Sequence, residues 1–336
     1  MSEPARVVCL PGDGIGPEVM AVAVQVLHAL PLELDLSEHD FGGVAIDRHG
    51  VPLPQETLDA CRDADAVLLA AVGAPSYDAK PVRPEQGLIG IRKELDVYAN
   101  LRPARGEGVD LLIVRELVGG LYYGARGRRG NGSAYDTCEY SPAQIERIAR
   151  RAFALARTRS GRLLSVDKAN VLETSRLWRE VVTTLGPEYP DVELSHALVD
   201  STAMRIVTDP GDFDVLLMEN TFGDILSDVA AAVTGGLGLA GSASIGDRNP
   251  GLFEPVHGSA PDIVGLGIAN PAGILRSVAL MLELALGESA LAESVDAAVD
   301  AAIAAAPTRD LGGTASTDEF TAAVLAALPT GIAFHG

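Results

Sequence analysis

Short apolar, β-rich runs alternate with longer helical patterns along this chain, and that alternation admits few architectures. Residues 6–10, 66–70, 111–114, 163–166 and 213–218 read as strands. Residues 17–30 read as a helix, with Pro17 suited to its first turn and Glu18 beside it to complement the dipole. Residues 141–159 read as another, because Ser141-Pro142 followed by Gln144 has the form of a capping box. Residues 291–306, rich in alanine, read as a packing helix. The expectation is an α/β protein with a substantially parallel or mixed sheet. The 336 residues suffice for about two ordinary domains. No repeat or low-complexity linker separates them, so the domains are expected to exchange chain more than once.

Charge narrows the partners. A formal net charge of −20 argues against sequence-independent nucleic-acid binding and against adhesion to an anionic membrane surface. The distribution is uneven. Between Ile206 and Thr308 there are 14 acids against two bases, whereas between Arg83 and Arg129 nine bases outnumber six acids. One basic island in an acidic chain suggests a small anionic ligand held at a defined place. Three dispersed cysteines (Cys9, Cys61, Cys138) form no metal or disulfide pattern. The N-terminal residues have no apolar signal core and no apolar run reaches about 18 residues, so a soluble, cytoplasmic protein is expected.

Five constellations carry chemistry. Gly12-Asp-Gly14-Ile-Gly16-Pro-Glu18 follows a strand and precedes a helix, but its glycine spacing is not that of a conventional dinucleotide fingerprint. A tight turn lining a cleft is the better reading. Asp224 and Asp228 lie four apart, on one face of a helix, where two like charges call for a cation. Hard oxygen ligands favour Mg²⁺ or Mn²⁺. Asp200, after another apolar run, is a further acid of this kind. Arg92, Arg102 and Arg115 lie near the ends of elements in the basic island, and guanidinium forks suit carboxylates. Lys168 follows a strand and can shuttle a proton if its pKa is lowered. The turn-rich run Glu254-Pro-Val-His257-Gly-Ser-Ala-Pro-Asp262-Ile263, continuing to Asn270, can offer backbone N–H groups to phosphates and a carboxylate to a ribose.

Together these segments resemble the β-decarboxylating, isocitrate/isopropylmalate dehydrogenase family over essentially the whole chain. Its most specific pieces here are residues 10–18, Asn100-Leu-Arg-Pro103, Val114-Arg-Glu-Leu117 with Gly119-Gly-Leu-Tyr122, Val166-Asp-Lys-Ala-Asn-Val-Leu172, Phe222-Gly-Asp-Ile-Leu-Ser-Asp228 and residues 254–263. The resemblance implies the family's own fold, two open α/β domains flanking a cleft, and not a conventional Rossmann fold. Residues 1–97 and 235–336 would form the terminal, cofactor-binding domain. Residues 98–234 would form an inserted domain for dimerisation, metal and substrate. Cleft closure would complete the site and exclude water.

Carried over position by position, the resemblance makes Arg92, Arg102 and Arg115 the clamp on a malate-type dicarboxylate. It makes Asp224 and Asp228 metal ligands, joined by Asp200 from the neighbouring subunit of a homodimer. Lys168, also acting across the dimer, would take the hydroxyl proton, and Tyr122 would protonate the enol after CO₂ leaves. His257, Gly258, Ser259, Ala260, Asp262, Ile263 and Asn270 would hold the adenosine side of NAD, with residues 74–85, from Ala74 to Glu85, bordering the nicotinamide. Glu85, Leu88 and Ile89 ahead of Arg92, with Val171, would meet the third substituent of the substrate. Burying another carboxylate against Leu88 and Ile89 is costly, whereas an isopropyl group gains roughly 0.8 kcal/mol per buried CH₂. The expectation is therefore NAD- and Mg²⁺- or Mn²⁺-dependent oxidative decarboxylation of 3-isopropylmalate, in leucine biosynthesis, with D-malate, tartrate or homoisocitrate as alternative substrates. Asp262 favours NAD over NADP because it repels a 2′-phosphate. Two segments depart from the family pattern. Residues 73–85 are about two residues short, and residues 124–138 match poorly and read as an exposed arm.

Overall fold

The computed structural model describes residues 3–329; residues 1–2 and 330–336, which the family resemblance assigns to the terminal domain, lie outside them. The chain forms two compact units, one of Met1–Leu95 with Leu237–Gly336 and one of Asp96–Gly236. The first opens with β1 (Ala5–Gly12), α1 (Gly16–Ala29), β2 (Leu34–Glu38), α2 (Gly43–His49), α3 (Gln55–Asp63), β3 (Ala66–Ala71) and α4 (Pro84–Glu94). The second contains β4 (Ala99–Gly106), β5 (Val109–Glu116), β6 (Arg126–Arg128), β7 (Ala134–Asp136), α5 (Pro142–Arg157) and β8 (Arg162–Asp167). It continues with α6 (Glu173–Leu185), β9 (Glu193–Leu198), α7 (Val199–Thr208), β10 (Val215–Met218) and α8 (Asn220–Val233). The chain then returns to the first unit with β11 (Gly241–Ile245), β12 (Gly251–Pro255), α9 (Ala272–Leu284), α10 (Ser289–Ala305) and α11 (Thr317–Ala327).

In the first unit the strand order is β2-β1-β3-β12-β11, parallel except for the β11–β12 pair. In the second it is β4-β5-β10-β8-β9, parallel except for β4–β5. The buried interior strands are near-continuous apolar runs, as sheets covered on both faces require. β3, Ala-Val-Leu-Leu-Ala-Ala, is buried at every residue. Helix starts follow their caps: Ser141 accepts from the Gln144 amide while Gln144 reaches back, as its spacing anticipates. Residues 126–136, expected as an exposed arm, form the exposed antiparallel hairpin β6–β7. Among the described residues no helix is long and apolar enough to cross a membrane.

Some strand ends differ from the apolar runs that announced them. β5 extends to Glu116 because β4 pairs with it residue by residue, from Ala99 opposite Glu116 to Gly106 opposite Val109. β10 begins two residues late, at Val215; just before it the Asp214 carboxylate accepts hydrogen bonds from Arg159 and from the Ser160 amide, while its carbonyl already accepts from Leu112 of β5. Strand parity then decides what faces α8. Leu111, Ile113, Leu216 and Met218 share a core with Ile206 of α7 and with Leu226 and Ala230 of α8. Arg115, two residues past Ile113, keeps that side of the sheet, and Arg102 lies opposite Ile113 in the register.

Candidate active site

The C-terminal ends of β5 and β10 in the second unit gather the polar residues, the usual place for ligands in an open α/β sheet. Arg115 is almost fully buried, with only 2% of its side chain exposed. It can reach past α8 because Gly223 has no side chain there; a Cβ on Gly223 would fall 2.6 Å from Arg115 Cγ. Its Nη1 donates to Asp224 Oδ1 at 2.5 Å, and its Nε and Nη2 both donate to Asn220 Oδ1. Arg102 donates to Ser227 Oγ at 2.7 Å and lies 3.3 Å from Asp228 Oδ1 and 3.5 Å from Asp224 Oδ1. Asn100 orients it through Nε. The expected placement of Arg102 near an element end is corrected: it sits in mid-strand, held by the β4–β5 pairing.

Tyr122 arrives on a single turn of 3-10 helix, Gly120–Tyr122, and its hydroxyl donates to Asp224 Oδ2 at 2.9 Å. Burial, with the Asp224 carboxylate beside it, pushes the phenol up to about 12, so the hydroxyl keeps its proton at ordinary pH. Asp228 is also raised, chiefly by burial, with Arg102 opposing that shift. Five of the expected residues, Arg102, Arg115, Tyr122, Asp224 and Asp228, therefore share one site.

Lys168 and Asp200 are brought together elsewhere in this unit. Lys168 follows β8 and its Nζ lies 2.9 Å from Asp200 Oδ1, in the first turn of α7. That ammonium holds the Asp200 carboxyl below its ordinary range. Val171, three residues on, is 59% exposed. Among the described residues no group of three or more His, Cys, Asp or Glu side chains is assembled as a metal site.

In the first unit, Arg92 lies in the last turn of α4, and its Nη2 donates to Glu254 Oε1 at 2.6 Å, with both side chains nearly buried. Glu85, Leu88, Ile89 and Arg92 stand at offsets of three and four along α4 and so share one face. Leu88 and Ile89 are half-buried. Ala74 precedes the 3-10 turn Pro75–Tyr77, which is anchored by the buried Tyr77 hydroxyl on Asp47 of α2.

The early glycine motif serves the loop after β12. Gly14 has φ +61, and a Cβ there would lie 2.0 Å from the Ser259 carbonyl oxygen, which also accepts from the Ile15 amide at 2.9 Å. The Asp13 carboxylate accepts from the amides of Gly43 and Gly73. Ile15, His257, Gly258, Ala260, Ile263, Asn270 and Asp310 line a pocket of about 440 Å³. His257 Nδ1 is 2.9 Å from the Gly258 carbonyl oxygen, while its buried Nε2 has no partner. Burial lowers the pKa of His257, favouring the neutral ring. Asn270 lines the pocket with its amide already committed to Asp310 and to the first turn of α9. Ser259 is buried behind Gly14, and Asp262 stands exposed on the 3-10 turn Pro261–Ile263.

Asn220, Ser227, Ile15 and Asp310 are site residues that sequence reasoning did not single out. Asn220 and Ser227 lie within or beside the Gly223–Asp228 motif; Asp310 accepts from nearby Thr308, but its link to the pocket, through Asn270, spans 40 positions.

The isocitrate/isopropylmalate dehydrogenase family pattern matches residues 6–324. A 3-isopropylmalate dehydrogenase from Deinococcus radiodurans is 51% identical, over 96% of this chain and 97% of its own. One from Streptococcus mutans is 49% identical, over 96% and 99%. Among solved structures, an isocitrate dehydrogenase from Methylococcus capsulatus is similar with TM-score 0.90 at 36% identity, covering 96% of this chain and 99% of that one. A β-decarboxylating dehydrogenase from Thermococcus kodakarensis gives TM-score 0.83 at 38% identity, covering 96% of each. Sequence pattern, curated relatives and solved folds agree over nearly the full length, and the chain belongs to the isocitrate/isopropylmalate dehydrogenase family.

Proposed function

We propose that this enzyme oxidatively decarboxylates 3-isopropylmalate to 4-methyl-2-oxopentanoate and CO₂, the leucine-biosynthetic reaction, with NAD and Mg²⁺ or Mn²⁺. The observation that carries the reading is the meeting of Arg115, Asp224 and Tyr122 at the end of β5, in a chain about half identical to curated 3-isopropylmalate dehydrogenases. Arg102 and Arg115, with Arg92 as third member, bind the two carboxylates through charged forks. Tyr122, kept protonated, delivers its proton to the enolate carbon. Lys168, as the neutral amine, takes the proton of the substrate hydroxyl. When bound, NAD accepts the hydride and a divalent cation stabilises negative charge on oxygen as a Lewis acid.

The donor set suits such a cation. Asp224 and Asp228 offer hard oxygen ligands on one face of α8, and a third carboxylate would add to them. A second copy of this chain supplies it. Asp200, Met204 and Val207 stand at i, i+4 and i+7 of α7, and Met204 and Val207 are 62% and 59% exposed. Ile225, next to Asp224 on α8, is 58% exposed. Apolar groups exposed beside the carboxylates fit burial against a copy of themselves, which would bring the partner's Asp200 to Asp224 and Asp228.

The unpartnered His257 Nε2 in its pocket suits the amine edge of adenine, and the exposed Asp262 suits a ribose diol and opposes a 2′-phosphate. Three free thiols suit a reducing, cytoplasmic setting. The test measures NADH production from 3-isopropylmalate, D-malate, isocitrate and homoisocitrate, with Mg²⁺ and then with EDTA. The first substrate should be preferred and chelator should abolish turnover. Preference for D-malate, full activity in EDTA, or higher kcat/KM with NADP would each overturn the corresponding part.

A further inference from the structure

Behind the Arg115–Asp224–Tyr122 cluster lies a residue that touches none of the reacting groups of a substrate and yet connects the arginine to the turn bearing the tyrosine. Asn220 is fully buried at the start of α8. Its Oδ1 accepts from Arg115 Nε at 3.1 Å and from Nη2 at 2.7 Å. Its Nδ2 donates to the Leu117 carbonyl at 3.1 Å and to the Gly119 carbonyl at 3.0 Å. Both lone pairs and both protons of one amide are thus used, which also fixes which end is oxygen. No other neutral side chain of that size offers two acceptor sites on one end and two donors on the other.

The rest of the pocket holds Asn220 still. Its own amide donates to the Tyr140 hydroxyl at 3.0 Å, and that hydroxyl donates to Glu219, which caps α8 through the Thr221 and Phe222 amides. The turn is pinned from below by Glu116, which accepts from the Val118 and Gly119 amides. Gly119 and Gly120 are small because Tyr140 fills the space, a Cβ on Gly120 falling 2.4 Å from its hydroxyl.

We propose that Asn220 is the positioning residue that sets Tyr122 against Arg115, clamping the guanidinium with one end of its amide and the Leu117–Gly119 turn with the other. The inference rests on the roles proposed above for Arg115 and Tyr122. It separates two variants. Asn220→Asp keeps the shape and the Arg115 contacts but turns both donors into acceptors facing carbonyls. It should lower kcat about 100-fold, the cost of a small misplacement, with KM for 3-isopropylmalate changed by no more than about 3-fold. Asn220→Ser loses both ends and should raise KM as well.

The deciding comparison is made in a Tyr122→Phe background. If Asn220 acts through Tyr122, adding Asn220→Asp there should change kcat by no more than about 3-fold. Independent, multiplicative losses would overturn the proposal, as would a loss confined to KM. Hydrogen exchange of residues 117–123 supplies a reading that needs no turnover: these amides should exchange roughly 10-fold faster in Asn220→Asp, with the rest of the protein unchanged. Unchanged exchange there overturns the clamp. A wild-type enzyme that makes no NADH from 3-isopropylmalate overturns the proposed substrate instead, and the exchange comparison still decides the role of Asn220. Should Asn220→Asp fail to fold, Asn220→Ser carries the same exchange test.

Discussion

A single absent methyl group sets the central contact of this protein: Gly223 leaves room for the Arg115 side chain to reach Asp224 and Asn220. The same economy appears in Tyr122, whose hydroxyl donates to Asp224 and, in the role proposed for it, needs only its proton to act. Tyr122→Phe should lower kcat about 10²- to 10⁴-fold, the usual contribution of a positioned acid, with little effect on NAD binding; an unchanged kcat would remove Tyr122 from the chemistry. Glu116 offers a different test. Burial, its largest influence, pushes its carboxyl up to about 7 from an ordinary 4.5. Between those values the unfolded chain has lost the proton and the folded one retains it, so this group's contribution to stability falls as pH rises from about 4.5 to about 7. Denaturant titrations across that window should show a shallower decline for Glu116→Gln than for wild type, and parallel curves would refute it. At this scale the sequence is partly legible. The four-residue spacing of Asp224 and Asp228 is enough by itself to announce a shared helix face. Asn220 announces nothing, because its side-chain partners at 115, 117 and 119 are about a hundred positions away and meet it through strand register.

Elements carry the division of labour. The glycine motif after β1 reads from sequence as a tight turn whose spacing does not fit a dinucleotide fingerprint, and the structure gives the reason: its turn is a backing for the loop at Ser259. Gly14→Ala combines a left-handed φ with a Cβ against a carbonyl, a close approach with no flexible side chain to yield. It should raise KM for NAD several-fold more than KM for the dicarboxylate, read from two substrate titrations; equal effects would detach this turn from the cofactor loop. On α4 the shared face of Glu85, Leu88, Ile89 and Arg92 places apolar groups one turn before a cation. Leu88→Ala should cost roughly 10-fold in kcat/KM on 3-isopropylmalate and leave D-malate nearly unaffected, since only the former has alkyl groups to bury. The core strands and capped helices are legible because apolar period and caps are local signals. The full lengths of β4 and β5 are not, because they are fixed by one strand lying against the other.

For the molecule as a whole, the exposed apolar residues of α7 and α8 make the proposed dimer testable. Ile225→Lys should yield monomers on sedimentation and abolish turnover if sites are shared. A sharper test mixes Lys168→Ala with Asp224→Asn, each inactive alone. In random dimers, half the molecules are mixed and one site in each is intact, so about a quarter of wild-type activity should return after joint refolding. No recovery would place both residues in one chain's site. The pattern of these residues alone does not announce the proposed sharing, which the sequence suggests only through the family resemblance, although the exposed Met204 and Val207 at helical spacing from Asp200 give it a physical basis. The pairing of Arg102 and Arg115 with Asp224 and Asp228 has one more consequence. These groups neutralise one another, so in the proposed site an anion arriving alone must strip arginines from their acids, and a cation alone must strip acids from their arginines. Each ligand performs the separation the other requires. Calorimetry should therefore find Mg²⁺ and the dicarboxylate each tightening the other's dissociation constant by the same factor, as in an ion exchange in which neither side moves unless both do.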